Sequence, residues 1–119
     1  MRAARRLAAG EPVSYGAAWR AASPTTIATL GIGYADGLLR SLGGTGLVAL
    51  GDRIAPIVGR VTMDMTMVDA GDVPVAPGDV ATIFGGPIPL ADQARRAGTI
   101  SYELLTALGP RVERRYGAP

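Results

Sequence analysis

No segment of this chain can run far in one direction. Seventeen glycines and nine prolines in 119 residues cut each apolar stretch short, because glycine opens left-handed backbone and proline removes a hydrogen-bond donor. Between these stops lie short β-type runs: Thr25–Ile32, Leu47–Leu50, Arg53–Thr62, Met65–Asp69 and Asp79–Phe84. Each is bounded by Gly, Pro or Asp, which is the signature of strands joined by tight turns. Gly51-Asp52 reads as one turn. Pro77-Gly78 reads as a type II turn, since proline pre-sets the first φ and glycine accepts the positive second one. The pattern changes after Pro89. Leu90–Ala97 carries helix formers with Gly98 as its stop, and Thr99–Leu108 sets Ile100, Leu104, Leu105 and Leu108 at helical spacing before Gly109-Pro110. Thr99 or Ser101 is placed to cap that second helix. Arg111–Tyr116 reads as a last strand. Some six strands with two short late helices predict a mainly β fold, a β-barrel-like domain or a sandwich of mainly antiparallel strands.

Residues 1–119 fit one domain with a single core. Hydrophobic residues make up 48% and charged residues 18%, which argues against disorder. No apolar run approaches the roughly 20 residues of a membrane-spanning helix, so no membrane is expected as a partner. Arg2, Arg5 and Arg6 have no apolar core behind them, which reads as mature sequence and not a secretory signal. With no cysteine, the cytoplasm is the expected compartment.

All twelve basic residues are arginine; lysine and histidine are absent along with cysteine. A Schiff-base nucleophile, a catalytic imidazole, a thiolate and the usual zinc ligands are therefore missing, and no metal site is expected. The arginines are scattered and aromatics are 5%, a poor match to nucleic-acid binding. Chemistry must come from Tyr, Asp, Glu, Arg, Ser, Thr or backbone.

Three segments could carry it. Gly31-Ile32-Gly33-Tyr34-Ala35-Asp36-Gly37 runs a strand into a glycine-rich loop that presents one tyrosine and one aspartate. A phenol ionises near pH 10, so a tyrosine acting as base at neutral pH needs a cation beside it, and arginine could supply one. An ordinary β-turn with an Asx-turn at Asp36 accounts for the same residues. Gly59–Asp69 places Met63, Met65 and Met67 at alternate positions, hence on one face of an extended strand, with Asp64 and Thr66 opposite; core packing explains such methionines equally well. Gly98–Glu103 opens the second helix, where amides favour a phosphate, although a purely structural cap fits too. Arg111, Arg114 and Arg115 follow.

Taken in order, IGYADG, GRVTMDMTMVD, GTISYEL and GPRVERRY, preceded by GEPVSYGAAW, resemble the C-terminal domain of bacterial alanine racemases from about Gly10 to Tyr116. The resemblance implies a β-domain that pairs with a pyridoxal-phosphate-binding α/β barrel, the barrel falling outside these residues. It implies a homo-oligomer in which this domain lines a partner's site, and alanine as substrate, with D-alanine feeding peptidoglycan. The reaction needs a base on each face of the α-carbon. Carried over by motif, Tyr34 takes the role of the tyrosine base. Met63 offers its backbone N–H to the substrate carboxylate, and Asp64 lines the same region. Tyr102 lies on the cofactor phosphate side with Arg114 holding its hydroxyl, and Arg60 and Ile100 line the entry corridor. Thr62 stands where relatives carry Cys, Ser or Ala and is expected to matter little. Lacking lysine, the chain is expected to leave pyridoxal phosphate mainly to the barrel and to be inactive alone. A non-catalytic β-module for binding or dimerisation, and a racemase for serine or another amino acid, remain open.

Overall fold

A computed structural model describes residues 1, 3–7, 12–13, 19–20 and 24–110. Eight strands and two helices are defined: β1 Ala3–Leu7, β2 Pro12–Val13, β3 Trp19–Arg20, β4 Thr25–Leu30, β5 Leu47–Leu50, β6 Arg53–Val58, β7 Thr66–Gly71, β8 Ala81–Thr82, α1 Leu90–Arg96 and α2 Ser101–Thr106. Six strands form one curled, barrel-like sheet in the order β1-β4-β7-β6-β5-β8, and β2 pairs with β3. All the pairings are antiparallel. The mainly β, barrel-like expectation with two late helices holds.

Alternation builds the sheet. Along β7, Thr66, Val68 and Ala70 turn inward while Met67 and Asp69 are half-buried. Ala28 and Leu30 of β4, Val48 of β5 and Ile57 of β6 join Val68 in one buried cluster, and Ile27 of β4 is also buried. Leu38 and Leu42 from the β4–β5 connection, Ala94 of α1 and Leu104 of α2 are buried as well. Each fully buried aliphatic side chain contributes roughly 1.5–3 kcal/mol of hydrophobic stabilisation. Where β4 pairs β7 the register shifts by one residue between Thr26 and Ile27. Asp69 holds this bulge, accepting the Thr25 hydroxyl and the Gly71 amide at 3.0 Å, while Gly71 turns to φ +60°.

Turn chemistry follows the sequence closely. Gly51-Asp52 closes the β5–β6 hairpin between Leu50 and Arg53. The Asp79 N–H reaches the Ala76 carbonyl at 3.1 Å with Gly78 at φ +96°, the type II form. Gly98 ends α1 in a Schellman motif: its N–H donates to Arg95, and that of Thr99 donates to Ala94 at 2.9 Å.

Several boundaries differ from expectation. The strand expected over Arg53–Thr62 stops at Val58, because Gly59 adopts φ +69°. Asp79–Phe84 shrinks to Ala81–Thr82, leaving Val80 83% exposed. The helix expected from Thr99 begins at Ser101, and its N-cap is Ile100 with no side-chain cap. The expected strand Arg111–Tyr116 lies outside the described residues. Among the described residues no helix is long and apolar enough to cross a membrane.

One buried polar residue ties the layers together. Gln93 of α1 is fully buried. Its side-chain amide accepts the Leu47 N–H at 3.2 Å and donates to the carbonyls of Leu47 and Ile83, both at 2.6 Å. The side chain thus acts as a surrogate strand segment between β5 and the residues after β8, satisfying groups that would otherwise be orphaned.

Candidate active site

Past β4 the chain crosses the 62–63 segment so closely that only glycine fits. A Cβ at Gly33 would overlap the carbonyl oxygens of Thr62 and Met63. Tyr34–Asp36 then forms one 3-10 turn. It is pinned from three sides. The Tyr34 and Ala35 amides donate to the carbonyls of Thr62 at 2.9 Å and Met63 at 3.1 Å. The buried Asp36 carboxylate accepts the Gly33 N–H at 3.2 Å. On the far side the Gly109 N–H donates to the Asp36 carbonyl at 3.2 Å. Two sequence blocks separated by residues 38–58, IGYADG and GRVTMD, thereby become one backbone unit.

The side chains that this unit presents point outward. Tyr34 is 42% and Met63 52% exposed. Met63 and Asp64 form the tip of a bend closed between Thr62 and Met65, where the Thr62 N–H donates to the Met65 carbonyl at 3.0 Å. This corrects the expectation of one extended strand with Met63, Met65 and Met67 on a common face: β7 begins at Thr66, and alternation cannot cross the bend. The Met63 carbonyl is used by Ala35, but among the described residues nothing accepts the Met63 N–H. The residue that carries this donor stands exposed at the tip. Thr66 steadies the base of the bend, its buried hydroxyl donating to the Ile32 carbonyl at 2.7 Å.

Arg40 was not anticipated. Its guanidinium carbon lies 5.7 Å from the centroid of the Tyr34 ring, within cation–π range. A shallow pocket of about 370 Å³ between Arg40, Ser41, Gly43, Gly59, Arg60 and Val61 brings Arg60 to the same surface. Arg60 and Asp64 are exposed but engaged in interactions of their own. The sequence did carry a signal for Arg40: a tyrosine that needs a cation has an arginine six positions on, where one turn and a short connection return the chain.

The other expected positions are less gathered. Ile100 is 70% exposed at the start of α2, whereas Gly109, which bonds the Tyr34 loop, lies beyond the other end of that helix. Tyr102 sits in the first turn of α2 with its side chain outside what is described, and Arg114 lies outside the described residues altogether. With no lysine in the sequence, there is no side-chain amine here to bind pyridoxal phosphate covalently. The described residues therefore gather only part of the expected set.

Comparison with known proteins agrees with this partial character. The family model described as "Alanine racemase, C-terminal domain" matches residues 1–116. An alanine racemase of Acidiphilium cryptum is 49% identical over 111 residues, covering 92% of this chain but 31% of the relative. The crystal structure of a biosynthetic alanine racemase from Pseudomonas aeruginosa superposes with a TM-score of 0.91 at 42% identity, over 98% of this chain and 33% of that one. An alanine racemase from Bartonella henselae, solved with covalently bound pyridoxal phosphate, gives 0.88 at 40% identity over 95% and 32%. The chain thus spans about a third of the length of its relatives, and it belongs to the alanine racemase C-terminal domain family.

Proposed function

We propose that this chain serves an alanine racemase, interconverting L- and D-alanine, by presenting a tyrosine and the Met63 amide to the substrate. The observation that carries the reading is the backbone unit joining the Tyr34 loop to the Met63 bend, with Met63 exposed at its tip. A backbone N–H meeting a carboxylate makes a charge-assisted bond, short and directional, which fixes how the α-carbon is presented. A tyrosine on the same wall can then exchange a proton with that carbon from one face. The opposite face needs a second base, which this sequence, without lysine or histidine, leaves to another segment or subunit. Pyridoxal phosphate, when bound in such an assembly, supplies the electron sink that makes the α-hydrogen acidic. On the phosphate side the candidates from this chain are Tyr102 and Arg114, with Asp64, Arg60 and Ile100 lining the approach. The domain works as part of a homo-oligomer and is inactive by itself.

Tyr34 is the proton-transferring group by motif. One observation favours a second reading. The Arg40 cation lies over the Tyr34 ring face, and among the described residues no charged group hydrogen-bonds its hydroxyl. On that reading Tyr34 and Arg40 line the way in, and the proton passes through another tyrosine of the matching blocks, first among them Tyr15 of Ser14-Tyr15-Gly16, outside the described residues.

The test is a fusion of the N-terminal two thirds of the Acidiphilium cryptum relative to residues 1–119, assayed for racemisation of alanine and serine with pyridoxal phosphate. The fusion should racemise alanine in preference to serine, and the chain alone should not. Losing the base should lower kcat by roughly 100-fold or more. If Tyr34→Phe does so, Tyr34 carries the proton; if Tyr34→Phe stays active and Tyr15→Phe is dead, the second reading holds. Racemisation by the isolated chain would overturn both.

A further inference from the structure

In a two-residue hairpin the residues flanking the loop exchange both backbone hydrogen bonds. Residues 62–65 depart from this pattern by one bond. The Thr62 N–H donates to the Met65 carbonyl at 3.0 Å, as a hairpin requires. The return bond goes elsewhere: the Met65 N–H donates to the Thr62 hydroxyl oxygen at 3.1 Å. That hydroxyl donates its own proton to the Met65 carbonyl at 2.9 Å. The Thr62 carbonyl is thereby released, and it accepts the Tyr34 N–H at 2.9 Å.

We infer that Thr62 is a positioning residue whose hydroxyl replaces its own carbonyl in the hairpin and frees that carbonyl to hold the Tyr34 loop beside the Met63 amide. This rests on the reading in which the Met63 amide binds the substrate carboxylate, and it reverses the expectation that Thr62 matters little. The local chemistry is sufficient. Without the hydroxyl, the Met65 N–H turns to the nearest acceptor, the Thr62 carbonyl, which the Tyr34 N–H must then share. Both bonds weaken, and two groups meant to act on one substrate lose their fixed spacing. Serine keeps the hydroxyl; valine keeps the branched shape without it. Thr62 is exposed, so water replaces part of what is lost and the effect is a modest multiple.

Amide hydrogen exchange in the full 119-residue chain separates the outcomes. Thr62→Val should speed exchange at both Met65 and Tyr34, about three- to tenfold, while Ile88, bonded in a distant loop, stays unchanged. Thr62→Ser should return both to wild-type rates. If Met65 exchanges faster and Tyr34 does not, the hydroxyl serves the bend alone and the inference is overturned; Thr62→Ala repeats the comparison should the valine variant fold poorly. In the fusion enzyme, Thr62→Val should raise KM for alanine several-fold with a smaller change in kcat, and Thr62→Ser should restore it. Met63→Pro, which deletes the amide proton, tells the two ideas apart. An unchanged KM in Met63→Pro removes the carboxylate reading. A raised KM there with none in Thr62→Val removes the role of Thr62 alone.

Discussion

The guanidinium of Arg40 lies over the ring of Tyr34, 5.7 Å from its centroid, and this pair shapes the outer wall of the site. Both side chains are exposed, where such a contact is worth about 0.5–1 kcal/mol. Arg40→Ala should lower unfolding stability in urea by about that much, and Arg40→Lys by less. A larger functional than structural effect is expected, as a rise in KM of the fusion enzyme, since the planar guanidinium fixes the ring more firmly than an ammonium. Equal kinetics in the alanine and wild-type forms would show that the pair has no part in substrate approach.

Gly33 and Gly44 separate two reasons for glycine. At Gly33 the backbone is extended and an added methyl overlaps the carbonyls of Thr62 and Met63. At Gly44 the space is open but φ is +82°. Gly44→Ala should cost about 1 kcal/mol for left-handed backbone. Gly33→Ala should cost about 3 kcal/mol and leave the Tyr34 and Ala35 amides unprotected in hydrogen exchange. Equal stability of the two variants would mean that the crossing relaxes without harm.

Gln93 should be the most sensitive polar position in the core. Gln93→Leu keeps the bulk but orphans the Leu47 N–H and the carbonyls of Leu47 and Ile83. Each buried unpaired group costs about 1–3 kcal/mol, so a loss of about 3 kcal/mol or more is expected in urea denaturation. Arg95→Ala, removing an exposed pair with Asp92 on the same helix, should stay within about 0.5 kcal/mol.

Exposed Tyr34 and Met63, with Pro87 and Pro89 also at the surface, give the isolated chain apolar area that a partner would cover. Light scattering should show mass rising with concentration. A monodisperse monomer at high concentration would contradict an interface there.

Much of the fold was legible because its determinants are local. Gly98 stops a helix and Pro77-Gly78 makes a type II turn through their own backbone preferences, and each forms where the residues call for it. Alternation at β7 was not legible in this way: the methionine face drew the core-packing account, whereas Thr66, Val68 and Ala70 turn inward and Met67 is half-buried. The errors fell where a single residue ends a run. Gly59 cuts the strand expected to reach Thr62, and the bend at 63–64 breaks the methionine alternation. Gln93 was invisible, because a glutamine in a short amphipathic helix looks like surface until three backbone groups converge on it.

The sequence by itself determined a mainly β domain, the family to which it belongs, and a chemical vocabulary without lysine, histidine or cysteine. Those follow from residue identity and near-neighbour spacing, which need no knowledge of long-range contacts. Tertiary structure alone decided that IGYADG and GRVTMD share two backbone hydrogen bonds, that Arg40 stacks on Tyr34, and that the Thr62 hydroxyl stands in for a carbonyl. Each of these joins groups through space, and a hydrogen bond or ring contact forms only when the whole sheet brings its partners within a few ångströms.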